Sequence, residues 1–87
     1  MLLRRINREK NEARFYLVEA GSSLLDSFAV IRVWGRIGGQ QRAMMTPCPS
    51  AEEAERLVNQ LIQRKMKRGY VPVKDTENVE EILTRKQ

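Results

Sequence analysis

The chain contains no histidine and a single cysteine, Cys48. Histidine is the side chain whose ordinary pKa suits proton transfer near neutrality, and Cys–His or Ser–His pairs are a common way to activate a nucleophile. Neither pair can form here. One thiol cannot close an intramolecular disulfide, and a zinc site lacks its usual ligands. Cys48 stands between Pro47 and Pro49 and reads as a small, partly buried side chain rather than a reactive one. No apolar stretch approaches the ~20 residues of a membrane span. Met1-Leu2-Leu3 gives way to Arg4-Arg5 before the apolar centre of a signal peptide could form. Internal repeats and low-complexity tracts are missing as well. The expectation is a cytoplasmic protein that is not an enzyme and uses no metal and no cofactor.

What is present is charge of one sign and a globular balance of residues. The chain has 87 residues, 41% of them hydrophobic and 31% charged, which suits one ordered domain. A domain of this size buries only about 60% of the surface its unfolded chain exposes, so its core is thin. Net charge is +5, unevenly placed: residues 1–74 carry 14 basic and 7 acidic side chains, while residues 75–87 carry 2 and 4. The expected division is therefore a basic domain over 1–74 and a polar tail over 75–87. Eleven of the 16 basic residues are arginine, whose planar fork matches phosphate and stacks on aromatic rings. A polyanion is the natural partner of such a surface, although the same charge also serves solubility alone.

Arg14–Ala20 is aromatic and β-branched and predicts a strand, followed by a turn at Gly21-Ser22-Ser23. Residues 27–36 carry the strongest strand signal, with Phe28, Val30, Ile31, Val33 and Trp34 close together. Gly38-Gly39 supplies a tight connection, and residues 40–46 return as the antiparallel partner. Pro47 and Pro49 end that strand. Ser50-Ala51-Glu52-Glu53 is a capping box, in which the serine caps the first turn and Glu53 reaches back to the Ser50 amide. From there Ala54, Leu57, Val58, Leu61 and Ile62 recur at helical spacing, predicting a helix over 51–68 with one face on the sheet. Acidic residues open it, Arg64, Lys65, Lys67 and Arg68 close it, and Gly69 is placed as a left-handed stop. The ends are less defined: Met1–Ile6 reads as an additional strand or a loose terminus, Val71–Val73 as a short edge segment, and Thr76–Leu83 as a brief polar helix.

Strand alternation puts Ala29, Ile31 and Val33 on one face and Phe28, Val30, Arg32 and Trp34 on the other. If the purely apolar set meets the helix, the only tryptophan lies on the opposite face beside Arg32, with Arg36 near the strand end. Gly35 between them would let a ligand backbone come close. A plainer arrangement has Trp34 covering the second sheet face with Arg32 across it as a cation–π lid. The helix-end run Arg64-Lys65-Met66-Lys67-Arg68 complements the helix dipole, and its proximity to Tyr70 leaves a phosphate grip as the second reading. Gly35, Gly38 and Gly39 are turn glycines and not a phosphate loop, since no Gly-Lys-Ser or Gly-Lys-Thr follows.

Trp34-Gly35-Arg36, continuing as Ile37-Gly38, resembles the signature of the WGR domain, found in DNA-dependent poly(ADP-ribose) polymerases and in short bacterial proteins. Asn11-Glu12-Ala13-Arg14-Phe15-Tyr16 ahead of it, the Ser-capped helix behind it and Lys67-Arg68-Gly69-Tyr70 at the helix end are similar to the bacterial members in the same order. The resemblance implies an α+β fold, a small twisted antiparallel sheet with one long helix packed across it. It also implies DNA binding without catalysis, with the motif tryptophan stacking on a terminal sugar and the motif arginine engaging nucleic acid or a neighbouring domain. Those roles fall on Trp34 and Arg36. At 87 residues the chain lacks the zinc fingers, helical regulatory domain and catalytic domain of the polymerases. The favoured expectation is sequence-independent DNA binding through Trp34, Gly35, Arg36, Arg32, Arg14, Lys67, Arg68 and Tyr70. The alternatives are a protein partner docked through the motif, and RNA or generic single-strand binding by exposed aromatics.

Overall fold

Two antiparallel hairpins, one helix and a short closing strand account for the regular structure of the described residues. In the computed structural model, residues 1–22, 25 and 27–73 are described, so the expected polar tail and the helix over 76–83 lie outside the described residues. Five strands form one sheet: β1 Leu2–Asn7, β2 Glu12–Gly21, β3 Ala29–Arg36, β4 Gln41–Pro47 and β5 Val71–Pro72. Helix α1, Ala51–Lys67, enters between β4 and β5. The strand order is β4-β3-β2-β1-β5 and every pairing is antiparallel. This is the α+β arrangement of one helix across an antiparallel sheet. The N-terminal segment is a full strand, paired with β2 from Leu2↔Leu17 to Asn7↔Glu12. Local composition leaves it open, because its partner lies across a turn and two of its six residues are basic.

The helix begins as the capping signals require. Ser50 is extended, at φ −156°, and its Oγ accepts from the Glu53 amide at 3.1 Å. The reciprocal arm of the box is replaced: the Glu53 carboxylate turns to Arg56, 2.6 Å away and one turn on. At the other end the amide of Gly69 donates to the Met66 carbonyl at 3.0 Å and that of Tyr70 to Lys65 at 3.1 Å. This double closure is the Schellman motif, and it needs the left-handed residue that Gly69 supplies at φ +93°. The motif turns the chain so that Tyr70 folds back beside Lys65.

The apolar face of α1 lies across β2 and β3. Ala54 and Leu61 are buried with Leu3, Tyr16, Val18, Val30 and Tyr70, and Trp34, Cys48, Leu57, Val58 and Ile62 pack half-buried against them. A second, smaller cluster of Leu2, Phe15 and Ile37 forms on the other face of the sheet, joined by Ala13, Leu17, Val33 and Val73. The helix thus covers the face bearing Val30, Arg32 and Trp34, and the expected assignment of the two β3 faces is reversed. Both faces of β3 are apolar enough to bury, so alternation alone could not choose between them. The helix chose the face carrying Tyr16 and Val18 on the neighbouring strand.

Candidate functional site

The reversal brings the tryptophan, the helix end and five cationic side chains to one place. Tyr16 on β2 is the cross-strand partner of Trp34 on β3, which in turn faces Arg42 on β4. Two residues along β3 on the same side is Arg32. Over this floor stands the last part of α1, contributing Leu61, Arg64, Lys65, Lys67 and Arg68. Between floor and helix runs an open groove of about 540 Å³, lined by Tyr16, Arg32 and Trp34 below and by those helix residues above.

Lys65 is the hinge of the arrangement. Its Nζ lies 4.8 Å from the centroid of the Tyr16 ring and 5.1 Å from that of Tyr70. The two rings meet edge to face at 6.5 Å. Cation–π attraction holds an ammonium here, yet the surroundings oppose its charge. Burial, followed by repulsion from Arg68, Arg14 and Arg32, lowers the Lys65 pKa from the ordinary lysine value. Lys65 thus stands among cations that repel it, held by the two rings beneath.

Two buried polar atoms at the floor have no hydrogen-bond partner, the Tyr16 hydroxyl and Arg32 Nε. An unpaired buried donor or acceptor costs on the order of 1–3 kcal/mol, so such atoms call for a compensating group. Arg32 is otherwise held by its Nη2, which lies 2.6 Å from the Met44 sulfur. The chemistry presented is the half-buried Trp34 ring beside buried Tyr16, several cationic donors and unpartnered polar atoms between them.

Of the residues expected from sequence, Arg32, Trp34, Lys67 and Arg68 line this groove, and Tyr70 supports it from beneath Lys65. Arg14 is one row out from the Tyr16–Trp34 pair, close enough to act on Lys65. Gly35 and Arg36 are placed differently. Added to Gly35, a Cβ would collide with the Gln40 carbonyl oxygen and lie 3.1 Å from the Gln41 Cα, so the missing side chain makes room for β4. Arg36 runs along Gly39 and donates from Nη1 to the Asn11 carbonyl at 3.3 Å, outside the groove. Tyr16, Leu61, Arg64 and Lys65 were not singled out as site residues. The signal for Tyr16 is its period-two spacing from Arg14, and that for Lys65 its place five residues before Tyr70, where the helix-end turn pairs its carbonyl with the Tyr70 amide. Among the described residues no cluster of three or more His, Cys, Asp or Glu is arranged to hold a metal. Nor, among them, is any helix long and apolar enough to cross a membrane.

A basic α+β domain whose helix C-terminus stands over an aromatic and cationic groove belongs to the class of small binding modules. Its family follows from comparison: residues 1–77 match the WGR domain, and the chain belongs to the WGR domain family. The WGR domain is a non-catalytic module of the nucleic-acid-binding type. The chain is also similar to an uncharacterized protein of Sinorhizobium fredii, y4dW, at 33% identity over 72 residues. That alignment covers 83% of this chain but 35% of the relative, so the chain spans about a third of the relative's length. No solved structure matches the chain significantly.

Proposed function

We propose that this domain binds DNA without sequence preference, gripping phosphates with the helix-end cations and stacking Trp34 on a sugar or base. The observation that carries the reading is the groove itself: Trp34 and Tyr16 beneath Arg64, Lys65, Lys67 and Arg68, with the Tyr16 hydroxyl and Arg32 Nε buried and unpartnered. Cationic donors around an aromatic platform are the combination by which proteins hold nucleic acid independently of sequence. A cytoplasmic location belongs to the same proposal.

Salt dependence tests it. With about three to five phosphates neutralised, log K should fall against log salt with a slope of roughly −3 to −4.5 for duplex DNA. Lys67→Gln with Arg68→Gln should flatten the slope by roughly 1 to 2. Binding indifferent to salt, or unchanged in the double variant, removes the phosphate grip.

One position favours a protein partner. Arg36 lies apart from the groove, tethered to the Asn11 carbonyl at an exposed hairpin tip, and its guanidinium is the group a neighbouring domain could reach. On this reading Arg36→Ala leaves DNA affinity nearly intact and weakens only a protein contact.

A further inference from the structure

Immediately beyond the groove the sheet carries an arrangement that folding alone does not favour. Register sets Arg5 on β1 directly opposite Arg14 on β2, and Arg14 directly opposite Arg36 on β3. Three like charges in one cross-strand row repel, and directly opposed like charges weaken a sheet. Compensation within the protein is slight. Arg5 has Glu12 at 3.9 Å, Arg36 has only the Asn11 carbonyl, and no described carboxylate pairs with Arg14. The row adjoins the Tyr16–Trp34 row, two residues along each strand and on the same face. It also lies where the helix stops: Gly69 sits beside Arg5, whose Nε would be 3.7 Å from a Cβ there. Past Gly69 nothing described covers the row.

We propose that the bound nucleic acid is an unpaired strand whose sugar–phosphate backbone leaves the Trp34 groove and crosses the sheet over the arginine row, perpendicular to the β-strands. The inference rests on the DNA-binding reading and adds the form of the ligand and its path. Two interstrand spacings separate β3 from β1, about 10 Å in all. That is the length of about three stacked nucleotides at roughly 3.4 Å each. The groove of about 540 Å³ is of the size that holds one nucleotide, and a base that enters it to stack on Trp34 has left any base pair. Arg14 and Arg5 then meet successive phosphates, Arg36 staying with the Asn11 carbonyl, and the strand relieves the repulsion along the row.

Trp34 is the sole tryptophan, so its fluorescence reports occupancy of the groove directly. Oligothymidylates of increasing length, starting from the mononucleotide, would be titrated against the wild-type chain, Arg14→Gln and Arg5→Gln, with a blunt duplex as competitor. Affinity should climb up to about three nucleotides and then level. Arg14→Gln should weaken the trinucleotide about tenfold, the loss of one charge-assisted contact, and leave the mononucleotide unchanged. The salt slope should shrink by roughly 0.7 per arginine removed. The free Arg14→Gln protein should melt at or above the wild-type temperature, which a purely structural arginine would not allow. Equal affinity for mononucleotide and trinucleotide, an unaffected Arg14→Gln variant, or a duplex outcompeting the single strand each overturns the track while leaving the groove as a DNA site. Absence of any nucleotide or duplex binding overturns both readings together.

Discussion

Trp34→Ala separates the energy that Trp34 contributes to the fold from the energy it contributes to a ligand. A fully buried large aromatic costs about 3–5 kcal/mol when truncated to alanine. Trp34 is only half-buried, packed at the rim of the helix-side cluster with its other surface in the groove, so roughly half of that, about 2 kcal/mol, should be lost from stability. A domain of this length holds on the order of 4–13 kcal/mol at the usual stability per residue. The variant should therefore remain folded with a lower Tm. Stacking on a nucleic acid is worth about 1–3 kcal/mol per aromatic, a further loss in binding of about 5- to 150-fold. Trp34→Phe keeps a ring at the same place and should recover most of both quantities. Thermal melts and fluorescence-anisotropy titrations with labelled DNA measure the two terms on the same samples. A folded Trp34→Ala protein with wild-type affinity and salt slope would refute the stacking role, and an alanine variant that unfolds outright would show that the indole is principally core.

Three further outcomes follow from the packing. Leu61→Ala, at a buried position between helix and sheet, should cost about 2–5 kcal/mol in chemical denaturation, whereas Ser50→Ala, which removes one cap, should cost about 1 kcal/mol; equal small losses would contradict the helix-on-sheet core. Gly35→Ala should destabilise by about 1–3 kcal/mol because the new Cβ meets the Gln40 carbonyl, and amide chemical shifts should move in the β3–β4 hairpin first. The pH dependence of Lys65 has a definite sign. Its folded pKa lies below the unfolded value of 10.5, so the unfolded chain binds the proton more tightly. Stability contributed through this group should then rise with pH across the alkaline window between the two values, and DNA affinity should fall over the same window as the ammonium is lost. Lys65→Met should abolish both trends in alkaline titrations.

The elements were legible because each carries a local rule. Capping, periodicity and a stop glycine define α1, and β-branched and aromatic density defines β2 and β3. What stayed hidden depends on pairing between distant segments. β1 is a strand because β2 accepts it, and its role in the site, through Arg5, appears only with the register Arg5↔Arg14. The face of Trp34 was hidden for a different reason. Period-two alternation separates two sets of side chains without saying which set the helix will cover, and β3 offers an apolar set on each side, one joining each core cluster. The site residues divide likewise. Trp34, Arg32, Lys67 and Arg68 converge because helix and strand ends meet, while Arg36, on the same face two residues on, lies past the groove where the hairpin end ties it to the Asn11 carbonyl, and Gly35 makes room for β4.

The helix C-terminus shows how one set of charges can serve both fold and ligand. Cations in the last turn of a helix each gain about 0.3–1 kcal/mol from the negative end of the dipole. Arg64, Lys65 and Lys67 sit in that turn, with Arg68 as the cap residue. The dipole thus offsets part of the repulsion of crowding them, and the Schellman turn at Gly69 fixes their position by locking Tyr70 beside Lys65. Lys65 nevertheless has its charge disfavoured by burial and by Arg68, Arg14 and Arg32. A solvated terminus would spread its cations outward into water. Here the chain turns Lys65 inward over two aromatic rings and keeps Arg32 on the floor opposite, an arrangement whose electrostatic cost a bound polyanion reverses.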